Sequence, residues 1–226
     1  MTSLLVTGCA RGIGFELVRQ ALQRGWTVAG SVRDEDAARR MQARFPERFT
    51  ALVFDVTDAE AVARAAESHA GVVDILINNA GIIGPSRQST VDMDFEGFAD
   101  TLAINTIAPL RVTQAFLPHL RRAPAARILT VSSFMGSLSY AKSDRIAYRA
   151  SKAAVNKVMQ GLATDLAPEG IAVHSLHPGW VRTDMGGPEA DVAADESAAG
   201  ILDVAESTTI ADTGTFVDWR GQTLDW

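Results

Sequence analysis

Long apolar runs are missing from this sequence, and none approaches the roughly 18 residues that a membrane span requires. The chain passes from Met1-Thr2-Ser3 straight into Leu4-Leu5-Val6, with no basic stretch leading a long apolar one, so no secretory signal peptide is expected. Cysteine is nearly absent. The single Cys9 excludes an intramolecular disulfide and fits a reducing, cytoplasmic setting. Lying in a glycine-rich turn with no histidine near it in sequence, it reads as a small filler side chain rather than a nucleophile. Positive charge is the scarcer sign, with 21 Lys and Arg against 27 Asp and Glu and a formal net charge of -6. That balance argues against nucleic acid or an anionic membrane as the main partner, while leaving room for a local basic site facing a phosphate. The four histidines form no recognisable metal constellation. His174 and His177 are spaced for one face of a strand and turn but lack companion ligands. They read as structural, and no metal is expected.

What is present is an ordinary globular composition, 47% hydrophobic and 21% charged, in 226 residues. That length suits one domain with a substantial core and no need of disulfide or metal staples. Apolar strand-like runs alternate with helical stretches from end to end. Strands are expected at Leu4–Val6, Trp26–Ser31, Ala51–Phe54, Ile75–Ile77, Arg127–Val131, Ile171–Leu176 and Thr215–Val217. Helices are expected over Ile13–Arg24, after Thr57-Asp58, and over Asn105–Arg121, Ala147–Leu166 and Glu196–Glu206. Strands buried on both faces read as continuous apolar runs. Repeated strand–helix–strand units imply a parallel sheet with right-handed crossovers. No linker or internal repeat divides the chain. The fold expected is α/β: a single doubly wound Rossmann domain over residues 1–226, its mainly parallel, seven-stranded sheet covered by helices on both faces.

Between the first strand and the first helix stands Thr7-Gly8-Cys9-Ala10-Arg11-Gly12-Ile13-Gly14. Glycines there permit a tight turn and close approach of a pyrophosphate to a helix N-terminus, at the switch point where doubly wound sheets bind ligands. A tight strand-to-helix turn without a ligand would use glycine too. The spacing is G-x-x-x-G-x-G. Together with Asn78-Asn79-Ala80-Gly81, Ser133 and Tyr148-Arg149-Ala150-Ser151-Lys152, in that order across nearly the whole chain, it resembles the short-chain dehydrogenase/reductase family. Within it, the stretch His177–Gly187 and the ending Thr213–Trp226 look like the C-factor and sniffer-type carbonyl reductase branch.

Tyr148 and Lys152 lie four residues apart in an expected helix and so share a face. A phenol with a pKa near ~10 is a poor acid–base group at neutral pH. A cation at about 4 Å at an effective dielectric of ~20 supplies roughly the 4 kcal/mol needed to bring it to about 7. Lys152, helped by an oxidised nicotinamide ring, is adequate for that, although an ordinary Tyr/Lys pair on a helix surface has the same spacing. The resemblance implies that Tyr148 exchanges the proton, that Lys152 also contacts the nicotinamide ribose, and that Ser133 hydrogen-bonds the substrate carbonyl. Ser132 is the rival, but the spacing to Gly136 and Tyr148 favours Ser133. A serine nucleophile is the competing chemistry, and Val131-Ser132-Ser133-Phe134-Met135-Gly136 has no glycine before the serine to form an elbow. Asn105, at the start of the long helix before Pro109, matches the family's fourth catalytic position and is implied to hold a water joining Lys152 to solvent. It would equally serve as a helix cap.

The same resemblance implies cofactor contacts from Gly8, Gly12, Ile13 and Gly14, from Asp55 and Val56 near an adenine, and from the Asn79-Ala80-Gly81 turn. It adds Pro178, Gly179, Val181 and Thr183 near the nicotinamide. Asp55 or Thr57 could instead cap a helix. NADPH is expected over NADH. Family spacing puts Val32 where NAD-binding folds carry an acid, with Arg33 just beyond it and Arg11 able to approach a 2′-phosphate from the glycine turn. Asp34-Glu35-Asp36 would take the acidic role on a slip of one or two residues, or else begin a helix, where carboxylates suit the positive dipole end. Phe134, Met135, Trp180 and Met185 are the candidates for a modest apolar substrate pocket, with Gly186-Gly187-Pro188 as a mobile cover. The expected activity is reduction of a small ketone, aldehyde, dicarbonyl or quinone. A signalling or regulatory protein that keeps a dinucleotide site is the alternative. An extended-family epimerase is disfavoured, since little chain remains for a substrate domain. The helices at Asn105–Arg121 and Ala147–Leu166 could pair in a homodimer or equally face their own sheet.

Overall fold

The structure, a computed structural model, describes residues 1–226. From the N-terminus the elements are β1 (Ser3–Val6), α1 (Gly12–Gln23), β2 (Thr27–Val32), α2 (Glu35–Arg44), β3 (Phe49–Val53), α3 (Ala59–Ser68) and β4 (Ile75–Asn78). A small hairpin follows, β5 (Gln88–Ser89) and β6 (Asp92–Met93), then α4 (Phe95–Leu102), a π-helical turn (Ala103–Ile107) and α5 (Ala108–Leu120). The last part holds β7 (Arg127–Val131), a 3-10 turn (Phe134–Gly136), α6 (Ile146–Leu166), β8 (Ala172–His177), α7 (Ala194–Ser207) and β9 (Thr215–Asp218). The main sheet runs β3-β2-β1-β4-β7-β8-β9 with every pair parallel. Strand order reverses between β1 and β4, so a crevice opens at the carboxyl ends of those two strands.

Alternation along each strand sends neighbouring side chains to opposite faces. Leu4 and Val6 pack with Leu17, Val18, Ile201 and Leu202 under α1 and α7. Leu5 packs on the other face with Val62, Phe116, Val155 and Met159 under α3, α5 and α6. The buried apolar positions of α5 and α6 face their own sheet, while Ala115, Leu117, Val158 and Leu162 are only partly buried. Three helices start on an aspartate that accepts from the backbone three residues on: Asp34 from Ala37 N at 2.7 Å, Asp58 from Ala61 N at 3.0 Å and Asp94 from Gly97 N at 3.0 Å. Each satisfies one of the amides a helix leaves unpaired at its start.

The structure departs from the sequence reading in four places. Strand β3 begins at Phe49 rather than Ala51; it is an outer strand whose exposed Thr50 and Val53 break the apolar run. The β5–β6 hairpin and α4 occupy a stretch with no expected element. Asn105 does not begin a helix: α4, the π turn and α5 run on as one helical segment, with Asn105 inside it and unable to act as a cap. Finally, β8 continues through His177, so His174 and His177, three apart in a strand, lie on opposite faces rather than one.

Candidate active site

A cleft of about 510 Å³ opens at the carboxyl ends of the central strands. Its floor begins with the glycine turn, where Gly8, Arg11, Gly12, Ile13 and Gly14 all line the wall. Helix α1 starts here with no side-chain cap and no acidic residue in its first turn, unlike α2, α3 and α4. Its leading amides therefore face the cleft with the positive end of the helix dipole. The turn is closed so tightly that a Cβ on Gly14 would stand 2.3 Å from the Gly8 carbonyl oxygen. Asn79 fixes it from the side, its Nδ2 donating to the carbonyls of Thr7 at 2.9 Å and Gly8 at 3.1 Å.

Along the far end of the cleft lie Val32, Arg33, Asp55 and Val56. Arg33 is exposed, whereas Val32 is buried. The neighbouring acids begin a helix, as one of the two sequence readings had it, and Asp34 is committed to the Ala37 amide. Asp55 lines the cleft but is also tied to Thr57, whose Oγ1 and N donate to its Oδ1 at 2.6 and 2.8 Å. Those bonds, the hydroxyl's first, hold the Asp55 carboxyl below its ordinary pKa, and Arg33 adds to the effect. The cap of α3 is Asp58, neither Asp55 nor Thr57. Cys9 is fully buried, and burial pushes its thiol up to about 12, which makes it inert at neutral pH.

At the near end, Ala80, Gly81, Tyr148 and Lys152 line the cleft. A Cβ on Gly81 would lie 3.2 Å from Asn105 Oδ1 and 3.6 Å from Lys152 Nζ, so this turn rests against both side chains. Asn105 is buried and tied on both sides of its amide: Oδ1 accepts from Ile82 N at 2.9 Å, and Nδ2 donates to Ile82 O at 2.8 Å and Ser151 Oγ at 3.0 Å. Lys152 Nζ donates to the Val131 carbonyl at 2.8 Å and stands 5.6 Å from the Tyr148 ring centre. Burial lowers the Lys152 pKa to about 8.

The two serines separate cleanly. Ser132 lines the cleft, but its Oγ is committed to α6, donating to Asn156 Oδ1 at 2.6 Å. The Ser133 hydroxyl instead acts on the Tyr148 phenol and accepts from Met135 N at 3.1 Å. The turn after Ser133 presses on α6 at Gly136, where a Cβ would meet the Lys152 carbonyl carbon at 2.7 Å. That close approach brings Ser133 to Tyr148. The expected lowering of the phenol's pKa is not found: it stands above its ordinary 10, because burial outweighs the opposing Ser133 hydroxyl and Arg145 guanidinium.

The loop after β8 forms the remaining wall through Pro178, Thr183 and Met185. It is tied rather than loose. Trp180 Nε1 donates to Gly186 O at 2.9 Å, and Arg182 Nη1 donates to the carbonyls of Ala190 and Asp191 at 2.8 and 2.9 Å. Arg11 reaches this loop through an exposed 2.8 Å ion pair with Asp184. Gly179, Val181, Trp180, Phe134, Met135, Asn105 and Ser133 are not on the cleft wall. Val181 is buried in a bridge to Val192, and Gly179 packs on Trp219 and Val192. Phe134 and Trp180 are partly exposed, with Phe134 packed on Tyr140 at 4.5 Å between ring centres. Sequence reasoning missed Ala10, Ser31, Phe54, Ile82, Ile104, Val131, Arg182 and Asp184, and had set Ser132 aside; all of these also line the cleft. Apolar wall residues carry no chemical signature, and Ile104 comes from the unforeseen π turn. Arg182 and Asp184 lie inside a stretch already singled out and were the detectable ones.

Comparison with known proteins gives a consistent picture. The family model for short chain dehydrogenases matches residues 2–193. The C-signal of Myxococcus xanthus is 46% identical over 158 residues, 69% of this chain and 94% of that protein. Among solved structures, an NADPH-bound carbonyl reductase from chicken fatty liver superposes with a TM-score of 0.92 at 33% identity, covering 100% of this chain and 99% of that one. The carbonyl reductase Sniffer of D. melanogaster superposes with a TM-score of 0.91 at 30% identity over 100% of both chains.

Proposed function

The chain belongs to the short-chain dehydrogenase family and is an oxidoreductase, and from that premise we propose that it reduces a small carbonyl compound to an alcohol with NADPH, Tyr148 serving as the general acid. The observation that carries this reading is the pairing of Tyr148 and Lys152 at one end of the cleft, with the Ser133 hydroxyl acting on the Tyr148 phenol from just behind the wall, while the same cleft takes in an uncapped helix N-terminus.

The residues present fit a phosphorylated dinucleotide. The Gly12–Gly14 amides would hold the pyrophosphate. Arg33 would meet the 2′-phosphate, with the carboxylate next to it in sequence, Asp34, already spent on a helix cap. Asp55 and Val56 would flank the adenine, Asn79–Gly81 would back the cofactor, and Lys152 would contact the nicotinamide ribose. The likeness to an NADPH-bound carbonyl reductase supports the choice of cofactor. When bound, the nicotinamide supplies the hydride that adds to the carbonyl carbon.

The chain's own groups do the rest. Ser133 Oγ donates a hydrogen bond to the substrate oxygen and stabilises the charge that develops there. The Tyr148 O–H bond breaks as its proton passes to that oxygen, so hydride and proton together turn C=O into CH–OH. A phenol held above its ordinary pKa by burial is protonated at neutral pH, which is the form reduction needs. Lys152, near 8, is mostly cationic at pH 7 and stabilises the phenolate left behind. Asn105 Oδ1 accepts one bond, from Ile82 N, and its second lone pair would serve a water joining Lys152 to solvent.

Tyr148→Phe tests the reading. Steady-state assays on a panel of ketones, aldehydes, dicarbonyls and quinones should show a loss of about 10²- to 10⁴-fold, with NADPH affinity by titration unchanged. Near-normal turnover would remove Tyr148 from the acid's role. The likeness to the C-signal favours a second reading, a signalling protein that keeps its dinucleotide site. It predicts NADPH binding by the wild type with no turnover anywhere in the panel.

A further inference from the structure

β9 is an outer strand of the sheet, and such an edge presents unpaired amides and carbonyls. Here the chain itself covers that edge. After a turn in which the Asp218 carboxylate accepts from Arg220 N and Gln222 N, both at 2.9 Å, the last residues run back antiparallel. Asp218 N donates to Gln222 O and Leu224 N to Phe216 O, both at 2.8 Å, with Val217 bridged to Thr223. The segment ends against the core, where the Trp226 ring stacks on fully buried Phe216 at 5.6 Å and 27°. From there it reaches the catalytic loop: the Trp226 carbonyl accepts from Ser137 Oγ at 3.1 Å. Ser137 is itself buried and continuous with the turn that holds Ser133. Its amide donates to Phe134 O at 3.1 Å, and Gly136 N donates to Ser133 O at 2.8 Å.

We propose that residues 222–226 are a strut that fixes the catalytic loop from the sheet edge, with Trp226 and Ser137 as positioning residues for Ser133. The front of the loop is held to α6 by the close contact of Gly136 and by Arg149 Nη1 donating to Met135 O at 3.4 Å. The strut ties its far end, Ser137, to the sheet edge, so the turn is restrained from two directions. The proposal rests on the reading of Ser133 as the hydroxyl that orients the substrate carbonyl. A misplacement of the order of 1 Å costs up to about a hundredfold in rate, whereas the dinucleotide cleft is bounded by other elements and keeps its affinity.

The test uses the full chain with Ser137→Ala and Trp226→Ala, and the conservative partners Ser137→Thr and Trp226→Phe. Four quantities are measured: kcat for a carbonyl that the wild type reduces, NADPH affinity, melting temperature, and amide hydrogen exchange across Phe134–Ser137. Both alanine variants should lower kcat about ten- to a hundredfold at unchanged NADPH affinity and speed exchange at Gly136 and Ser137. Ser137→Thr and Trp226→Phe should restore both. Unchanged kcat and exchange would overturn the proposal, as would a parallel fall in kcat, NADPH affinity and melting temperature. If the wild type reduces no carbonyl, the functional reading fails by itself, and exchange alone then decides the strut: faster in the alanine variants supports it, unchanged refutes it.

Discussion

Arg33 and Asp34 are adjacent, oppositely charged and exposed, yet their surroundings give them unrelated tasks. The Asp34 carboxylate is bound to the first turn of α2, while Arg33 lines the cleft with no carboxylate hydrogen-bonded to it. A free guanidinium beside a phosphate forms charge-assisted bonds, each worth roughly 1.5–3 kcal/mol. Arg33→Ala should therefore weaken NADPH binding by about 10- to 100-fold and leave NADH binding nearly as it was, measured by fluorescence titration of both cofactors. Equal losses for the two would show that Arg33 does not read the 2′-phosphate. Arg11 contributes less to that discrimination, because its guanidinium is paired with Asp184 across the cleft mouth. Cys9, Tyr148 and Lys152 were legible as residues because each sits in a motif with a chemical reason. The direction of the Tyr148 shift was not, since burial depends on packing that no local pattern records.

At the level of elements, a helix cap and a ribose-binding acid make different predictions for the same side chain. As a cap, Asp34 should cost about 1 kcal/mol when changed to Ala, a fall of about 2–4 °C in a chain of this size. The ratio of NADPH to NADH affinity should not move. A shift in that ratio toward NADPH, seen by the same titrations at intact melting temperature, would return Asp34 to the cofactor site. The central strands could be read directly from sequence because burial on both faces makes them continuous apolar runs, as in Leu4–Val6 and Ile75–Ile77. The outer strand β3 was displaced in the reading because one of its faces is wet. The π turn was invisible. Ala103–Ile107 has ordinary helical composition, and the extra residue is stabilised by long-range bonds from Asn105 to Ile82 and Ser151. The roles of Asn79 and Ser137 as ties between distant segments were hidden for the same reason: their partners are Thr7, Gly8 and Trp226.

Three histidines, His69, His174 and His177, are held toward the neutral form, and this sets how the molecule responds to acid. Burial pushes His177 from its ordinary 6.5 down to about 4, against the opposing pull of Asp218, and its Nδ1 has no hydrogen-bond partner. His174 and His69 are lowered as well, both chiefly by burial. A depressed folded-state pKa means that below 6.5 the unfolded chain takes up protons that the folded chain refuses. Stability from these groups is therefore complete above about 6.5 and is lost as pH falls toward about 4. Four carboxylates are also lowered in the fold, Asp55 by Thr57, Asp212 by Thr209, Asp144 by Arg149 and Glu169 by Arg121, and their contributions are lost at more acid pH, mainly below the ordinary 3.8 of Asp and 4.5 of Glu. Above that range the histidines dominate. Between pH 7 and 4.5, His177 alone should account for about 2 kcal/mol, equivalent to a melting-point drop of about 5 °C. Denaturant titrations at the two pH values should show that loss in the wild type and a smaller one in His177→Gln, which cannot take up the proton. An equal loss in both would place the acid sensitivity elsewhere than His177, in His69 and His174 on the same argument, and would mean that the imidazole at the end of β8 is hydrated rather than sealed beneath its neighbours.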